Sequence, residues 1–161
     1  MAGLLTRRGA LALAANAAIS TAVRAAPALR FRAIKVDVAP LRANGDTITA
    51  QWMAEDLPDL LQRAFAEYMA PGDRSAPILV ARIDSVSYGS PGSSMESTFS
   101  THDFIEGAAV VDYGGRNQKI YPLMTSCDVS AALFDAANGG QMRALALAGV
   151  FARFLPGQIG L

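Results

Sequence analysis

Few residues in this sequence combine types and spacings that could do chemistry, and they gather in two places. His102-Asp103 is the one histidine with an acid beside it, and Cys127-Asp128 is the one cysteine, also beside an acid. A serine hydrolase would need His102 as general base for a nucleophile on a sharp turn, with an oxyanion hole at hand. Ser93 and Ser94 lie a few residues upstream in a Gly/Pro/Ser-rich stretch, but no Gly-x-Ser-x-Gly surrounds them. Adjacent residues of a strand point to opposite faces, so His102 and Asp103 are not expected to pair with each other. A hydrolase using Ser93 or Ser94 with His102 is therefore the minor reading, and a solvated loop histidine the major one.

A thiol nucleophile at Cys127 with His102 as base fares similarly. Nothing in its local sequence would visibly lower the thiol pKa, and a small buried residue at a strand end is the expectation. A metal site would have to gather His102, Asp103, Glu106 and Cys127, which lack the short paired spacings of zinc or iron ligands. Gly89-Ser90-Pro91-Gly92-Ser93-Ser94 has neither the lysine of a phosphate loop nor the spacing of a dinucleotide fingerprint. The acids of Glu55-Asp56-Leu57-Pro58-Asp59 read as helix N-terminal charges favoured by the macrodipole. No catalytic, cofactor-binding or metal residues are expected. What remains is a polar loop with a few apolar anchors around it, Tyr88, Met95, Phe99 and Phe104, a pattern that suits partner contact. The competing expectation is that Phe99 and Phe104 simply enter the core.

The elements that must carry these residues follow from periodicity. Pro77 to Tyr88 is the longest β-like run, opened by proline, closed by Gly89-Ser90-Pro91-Gly92, and is the natural centre of a sheet. Before it, Ala33 to Val38 alternates, with Ile34, Val36 and Val38 opposite Lys35 and Asp37, a half-buried first strand that Pro40 ends. Asn44-Gly45-Asp46 turns the chain. Gln51 to Met69 then places Trp52, Met53, Leu57, Leu60, Leu61, Ala64, Phe65 and Tyr68 at helical spacing. Pro58 leaves two readings: a helix starting at Asp56 as N-cap, or an earlier helix kinked at the proline.

Residues 89–100 read as a long connection. A third strand from Asp103 to Tyr113 turns through Gly114-Gly115-Arg116-Asn117 into a fourth, Gln118 to Ser126, which Pro122 assigns to a sheet edge. Val129 to Ala137 is ambiguous and reads as a short helix. Gln141 to Leu155 is helical, with Leu145, Ala148, Phe151, Ala152 and Leu155 on its apolar face, Arg143 and Arg153 elsewhere on the cylinder, and Phe151 expected to be fully buried. The order β-α-β-β-β-α predicts an α+β two-layer sandwich, a four-stranded mixed sheet with two helices on one face. Its first two strands should be parallel and its hairpin antiparallel.

The N-terminus is of another kind. Residues 1–25 are rich in Ala and Leu and contain no acid, with Thr6-Arg7-Arg8-Gly9 as charged n-region, Ala10 to Ile19 as apolar h-region and Val23-Arg24-Ala25 at the cut. That is a cleavable export signal, with cleavage after Ala25 or, alternatively, in Ala26-Pro27-Ala28. The competing reading is an amphipathic helix packed on the domain. Thr-Arg-Arg-x-x-Leu also resembles a twin-arginine signal, so the Sec and twin-arginine routes both stay open. The apolar run is too short to span a bilayer, and residues 26–161 form a single domain expected in the periplasm.

Composition narrows the partners. Hydrophobic residues make up 52% of the chain, enough for a core, and only 17% are charged, against about 25% in an ordinary domain. Without Arg7, Arg8 and Arg24, the 14 basic residues fall to 11 against 14 acids, a net charge of about −3 that argues against a nucleic-acid surface. A single Cys forms no internal disulfide, so the core alone must hold the fold.

The exported β-α-β-β-β-α pattern over residues 31–155, with Trp52 leading the first helix, resembles small bacterial envelope accessory proteins. These are the auxiliary proteins of ABC-type transport systems and the lipopolysaccharide-assembly lipoproteins. The ending Phe151-Ala-Arg-Phe-Leu-Pro-Gly-Gln-Ile-Gly-Leu161 is similar to that of uncharacterised exported proteins of proteobacteria. The resemblance implies a non-enzymatic accessory or binding role, with an envelope protein or a lipid-like ligand as partner and no cofactor. Members of the first group are usually lipid-anchored, whereas this chain has no Cys at the cut. A self-associating structural subunit is the remaining alternative.

Overall fold

The computed structural model describes residues 29–89, 102–128 and 137–161. The signal segment 1–25, the serines Ser93 and Ser94, the anchors Met95 and Phe99, and residues 129–136 lie outside the described residues. Eight elements follow in order: β1 (Ala33–Asp37), α1 (Ala39–Ala43), α2 (Thr47–Ala64), a 3-10 turn (Ala66–Tyr68), β2 (Ile78–Ser87), β3 (His102–Asp112), β4 (Gln118–Asp128) and α3 (Gly139–Gln158).

The strands form one sheet in the order β1-β2-β3-β4. β1 runs parallel to β2, from Ala33 opposite Ile78 to Asp37 opposite Arg82. β2 and β3 are antiparallel, as are β3 and β4, whose register runs unbroken from His102 opposite Asp128 to Asp112 opposite Gln118. The mixed, four-stranded α+β arrangement expected from the sequence is therefore present. β4 occupies an edge, where the missing N–H of Pro122 is tolerated. The hairpin joining β3 to β4 turns at Gly114 and Gly115, whose φ values of 95° and 64° are open to glycine at little cost.

The register of β2 against β3 shifts between Ile83 and Ser85, beside Gly107. A Cβ on Gly107 would stand 2.1 Å from the Arg82 carbonyl oxygen and 3.2 Å from the Phe151 ring. Glycine here lets two backbones and one aromatic ring close on the same point.

The first helical region departs from the sequence expectation at its start. β1 stops before Pro40, as expected, and Pro40 sits in the first turn of a short helix, α1, that the sequence reading did not include; its lacking N–H is harmless there. α2 then begins at Thr47, not at Gln51 or Asp56. Asp46 is the N-cap and accepts a bond from the Thr49 N–H at 3.1 Å. Pro58 lies inside this continuous helix, so Asp56 is a mid-helix residue. The start was hidden because Thr47, Ile48 and Thr49 are β-branched and read as strand-like, although the cap outweighs that propensity. Ala50, Met53, Leu57 and Leu61 form its buried stripe, continued by Phe65, which meets Phe31 edge to face at 5.8 Å.

α3 starts at Gly139 and continues through Pro156-Gly157 to Gln158, beyond both expected ends. Phe151, Ala148, Ala152 and Leu155 are buried as expected. Leu145 is not: it is 45% exposed, and Ala144 and Leu147 take its place in the core. The stripe is rotated by part of a turn because α3 faces both the sheet and α2, so its buried arc is centred between them. α2, α3 and the helix-facing side of the sheet enclose a single core that includes Phe31, Leu79, Ile83, Ile105 and Phe151.

Among the described residues the other side of the sheet carries no helix. Along β3 and β4 it presents Phe104, Ile120 and Met124, which are 43%, 55% and 65% exposed.

Candidate functional site

The alternation of β3 sends His102, Phe104 and Glu106 to the open side of the sheet and Asp103, Ile105 and Gly107 toward the helices. That single fact separates the residues with chemical potential. Asp103 has no solvent exposure, and a lone carboxylate there would be costly without a partner. Arg143, from the early turns of α3, supplies one. Its Nε donates to Asp103 Oδ2 at 2.8 Å, and a terminal nitrogen donates to Asp103 Oδ1 and to the Gly89 carbonyl oxygen, the latter at 2.6 Å. The Gly89 N–H in turn donates to Asp103 Oδ1 at 2.9 Å. One carboxylate and one guanidinium thus bind the end of β2, the start of β3 and α3 together.

Aromatic and hydroxyl groups complete the cluster. The Arg143 guanidinium lies 4.9 Å from the centre of the Tyr88 ring, a cation–π contact. The Tyr88 hydroxyl meets Thr49 Oγ1 of α2 at 3.2 Å, so the other buried polar side chain, Thr49, is also satisfied. Burial pushes the Tyr88 phenol upward, against the pull of its Thr49 hydrogen bond. The hydrogen bonds to Asp103 hold Arg143 above its ordinary value. Cys127 stands opposite Asp103 in the ladder, and burial first, then the Asp103 charge, pushes its thiol up. A thiol so placed has less thiolate character than a free cysteine, the reverse of what a nucleophile requires. The arrangement clamps three elements; it does not activate a reacting atom.

His102 is on the opposite side of the sheet from this cluster. Its Nε2 lies 2.8 Å from Asp128 Oδ1, across the outermost register pair, and its ring stacks on Phe104 at 6.3 Å. The sheet therefore stands between His102 and Cys127, and the histidine's acid partner is Asp128, not its neighbour Asp103. His102 and Glu106 are likewise divided from Asp103 and Cys127. Among the described residues no three His, Cys, Asp or Glu side chains are placed to hold a metal ion.

Of the expected partner-contact residues, Phe104 is exposed on the open side, whereas Tyr88 is half-buried on the helix side against Arg143. Met95 and Phe99 lie outside the described residues. Sequence reasoning missed Arg143, which it placed away from the buried face. The available signal was Asp103 itself, an acid on the strand face otherwise made of Ile105, Gly107, Ala109 and Val111, which demands a cation.

A second feature borders β4. Between this edge strand and the last turns of α3 runs an open groove of about 450 Å³, lined by Leu123, Met124, Thr125, Ser126, Phe154 and Gln158. Phe154 is 54% exposed there, and Gln158 Nε2 donates to the Pro122 carbonyl oxygen at 2.6 Å. No helix among the described residues is long and apolar enough to cross a membrane.

Neither a family model nor a curated protein matches the sequence. Three similar solved structures carry the names of bacterial lipoproteins. Rare lipoprotein B from Shewanella oneidensis is 10% identical, with a TM-score of 0.45, over 79% of this chain and 92% of that one. A minor lipoprotein from Acinetobacter baumannii is 11% identical, with a TM-score of 0.40, over 81% of this chain and 95% of that one. A protein described as a lipoprotein from Caulobacter crescentus is 13% identical, with a TM-score of 0.34, over 78% of this chain and 85% of that one. This chain is similar, at low identity, to solved structures of proteins named as lipoproteins.

Proposed function

We propose that the protein is a non-enzymatic accessory module of the bacterial cell envelope, exported to the periplasm, that acts by binding a protein or lipid-like partner. The observation that carries the reading is the apolar side of the sheet that no described helix covers, where Phe104 of β3 and Ile120 and Met124 of the edge strand β4 are all substantially exposed. Phe104 and Met124 are diagonal neighbours across the β3–β4 ladder, and large apolar side chains exposed together on one sheet face mark an interaction surface. The reading of residues 1–25 as an export signal supports an envelope location for that surface. The polar groups of the helix side are consistent with binding and not with turnover, since Arg143 and Asp103 neutralise each other and the Cys127 thiol is pushed up.

Photo-crosslinking in intact bacterial cells tests this. A photoreactive residue is placed in turn at Phe104, Ile120 and Met124, and at Glu55 on the exposed side of α2 as control. A discrete adduct of protein or lipid mass from the first three positions and not from the fourth is expected. Exported, folded protein that yields no adduct from any of the three would overturn the reading.

A further inference from the structure

Among the described residues the outer side of β4 pairs with no strand, and this bears on what kind of partner fits. In an antiparallel ladder the N–H and C=O of one residue point the same way, and successive residues alternate. Pro122 has no N–H, and its carbonyl oxygen takes a hydrogen bond from Gln158, a residue of α3 beyond the sheet edge. Pro122 therefore faces outward, and the alternation turns the N–H and C=O of Met124 and Ser126 outward as well. Gln158 hydrogen-bonds to this edge at Pro122. The groove against Phe154 begins immediately after, along Leu123–Ser126. The Thr125 hydroxyl on its wall is buried and has no partner among the described residues, a further unsatisfied polar group beside the unpaired backbone.

We infer that this edge takes an extended, uncharged peptide strand, which pairs with the backbone of Met124 and Ser126 and lays alternate apolar side chains into the groove against Phe154. The chemistry is that of strand addition, in which main-chain bonds give affinity and the groove gives selectivity. Two observations set the occupant. The side chains lining the groove include no charge, so a charged side chain entering it would lose solvation with nothing to compensate. Gln158 takes the edge at Pro122, so the outward backbone between it and the end of the groove at Ser126 is short, roughly 13 Å at about 3.3 Å per residue, the reach of a few residues of one strand. A short peptide segment of a partner fits that length, and a second copy paired edge to edge is an outcome that the test reads. The inference rests on the reading of the domain as a binding module, and names what it binds at this edge.

The test is a titration of the full chain with end-capped Thr-Val-Thr-Val-Thr, following the backbone amide resonances of Met124 and Ser126. Two N-methylated versions of the peptide serve as probes, one blocked at the second and fourth residues and the other at the first, third and fifth. Strand pairing uses only one of these sets of N–H groups. Saturable shifts at Met124 and Ser126 are expected, weakened about tenfold or more by one methylation pattern and retained with the other. Phe154→Ala, on an exposed side chain whose loss leaves the core intact, should also weaken binding. The absence of shifts up to about 1 mM peptide, or equal binding of both methylated forms, would overturn the inference. So would sedimentation of the free chain as a dimer that the peptide does not dissociate. Failure of export would undo the envelope reading and leave this titration unchanged, so the two outcomes remain distinguishable.

Discussion

Asp103 of β3 and Arg143 of α3 are 40 residues apart, yet form the buried ion pair that fixes one end of the sheet to the helix layer, with Nε to Oδ2 at 2.8 Å. Their side chains are 0% and 11% exposed, so removing either leaves a charge in a poorly solvated place. Arg143→Ala and Asp103→Ala should each lower stability by about 3–5 kcal/mol, whereas Asp103→Leu/Arg143→Met should lose far less than the sum. Urea unfolding of the four proteins checks this. Additive single effects would show that the pair is not coupled.

The close approach at Gly107 gives a second expectation. A methyl there meets the Arg82 carbonyl, a backbone atom that cannot swing aside, so Gly107→Ala should cost about 1–3 kcal/mol. Gly149, inside α3, has nothing within 4 Å of its would-be Cβ, and Gly149→Ala should add about 0.5–1 kcal/mol. Thermal melts of opposite sign are the predicted outcome.

Phe151 is fully buried where α3 meets the sheet. Phe151→Ala should cost about 3–5 kcal/mol, a large share of the ~5–15 kcal/mol that holds a domain of this size. A melting temperature within a degree or two of the unsubstituted protein would contradict that placement.

Cys127 offers a pH test. Its thiol is held above its ordinary value, so at any given alkaline pH a smaller fraction is thiolate than in the unfolded chain. The pH midpoint of its alkylation rate should therefore lie higher in the native protein than in urea. A midpoint at or below the unfolded one would mean that Arg143, which pulls the other way, dominates over burial and Asp103.

What the sequence showed and what it hid have the same cause. Strands β2, β3 and β4 were legible because their alternation, their bounding prolines and glycines, and the edge position of Pro122 are all local signals. The start of α2 was hidden because one side-chain cap, Asp46, decides it against a β-branched run. The stripe of α3 was misaligned at Leu145 because a helix seated between a sheet and another helix buries an arc that periodicity alone does not orient. Arg143 was missed for a similar reason. An arginine is placed in solvent by default, and only the long-range register that buries Asp103 brings it inward. The groove beside β4 needed the packing of α3 near the edge, which no local pattern encodes.

The central claim, that this is an exported envelope module, is tested most directly by the intact mass of the protein recovered from a bacterial host after separation of periplasm and cytoplasm. A processed species beginning near Ala26 in the periplasmic fraction is the predicted result. A full-length chain that retains Met1 and stays in the cytoplasm would contradict the account.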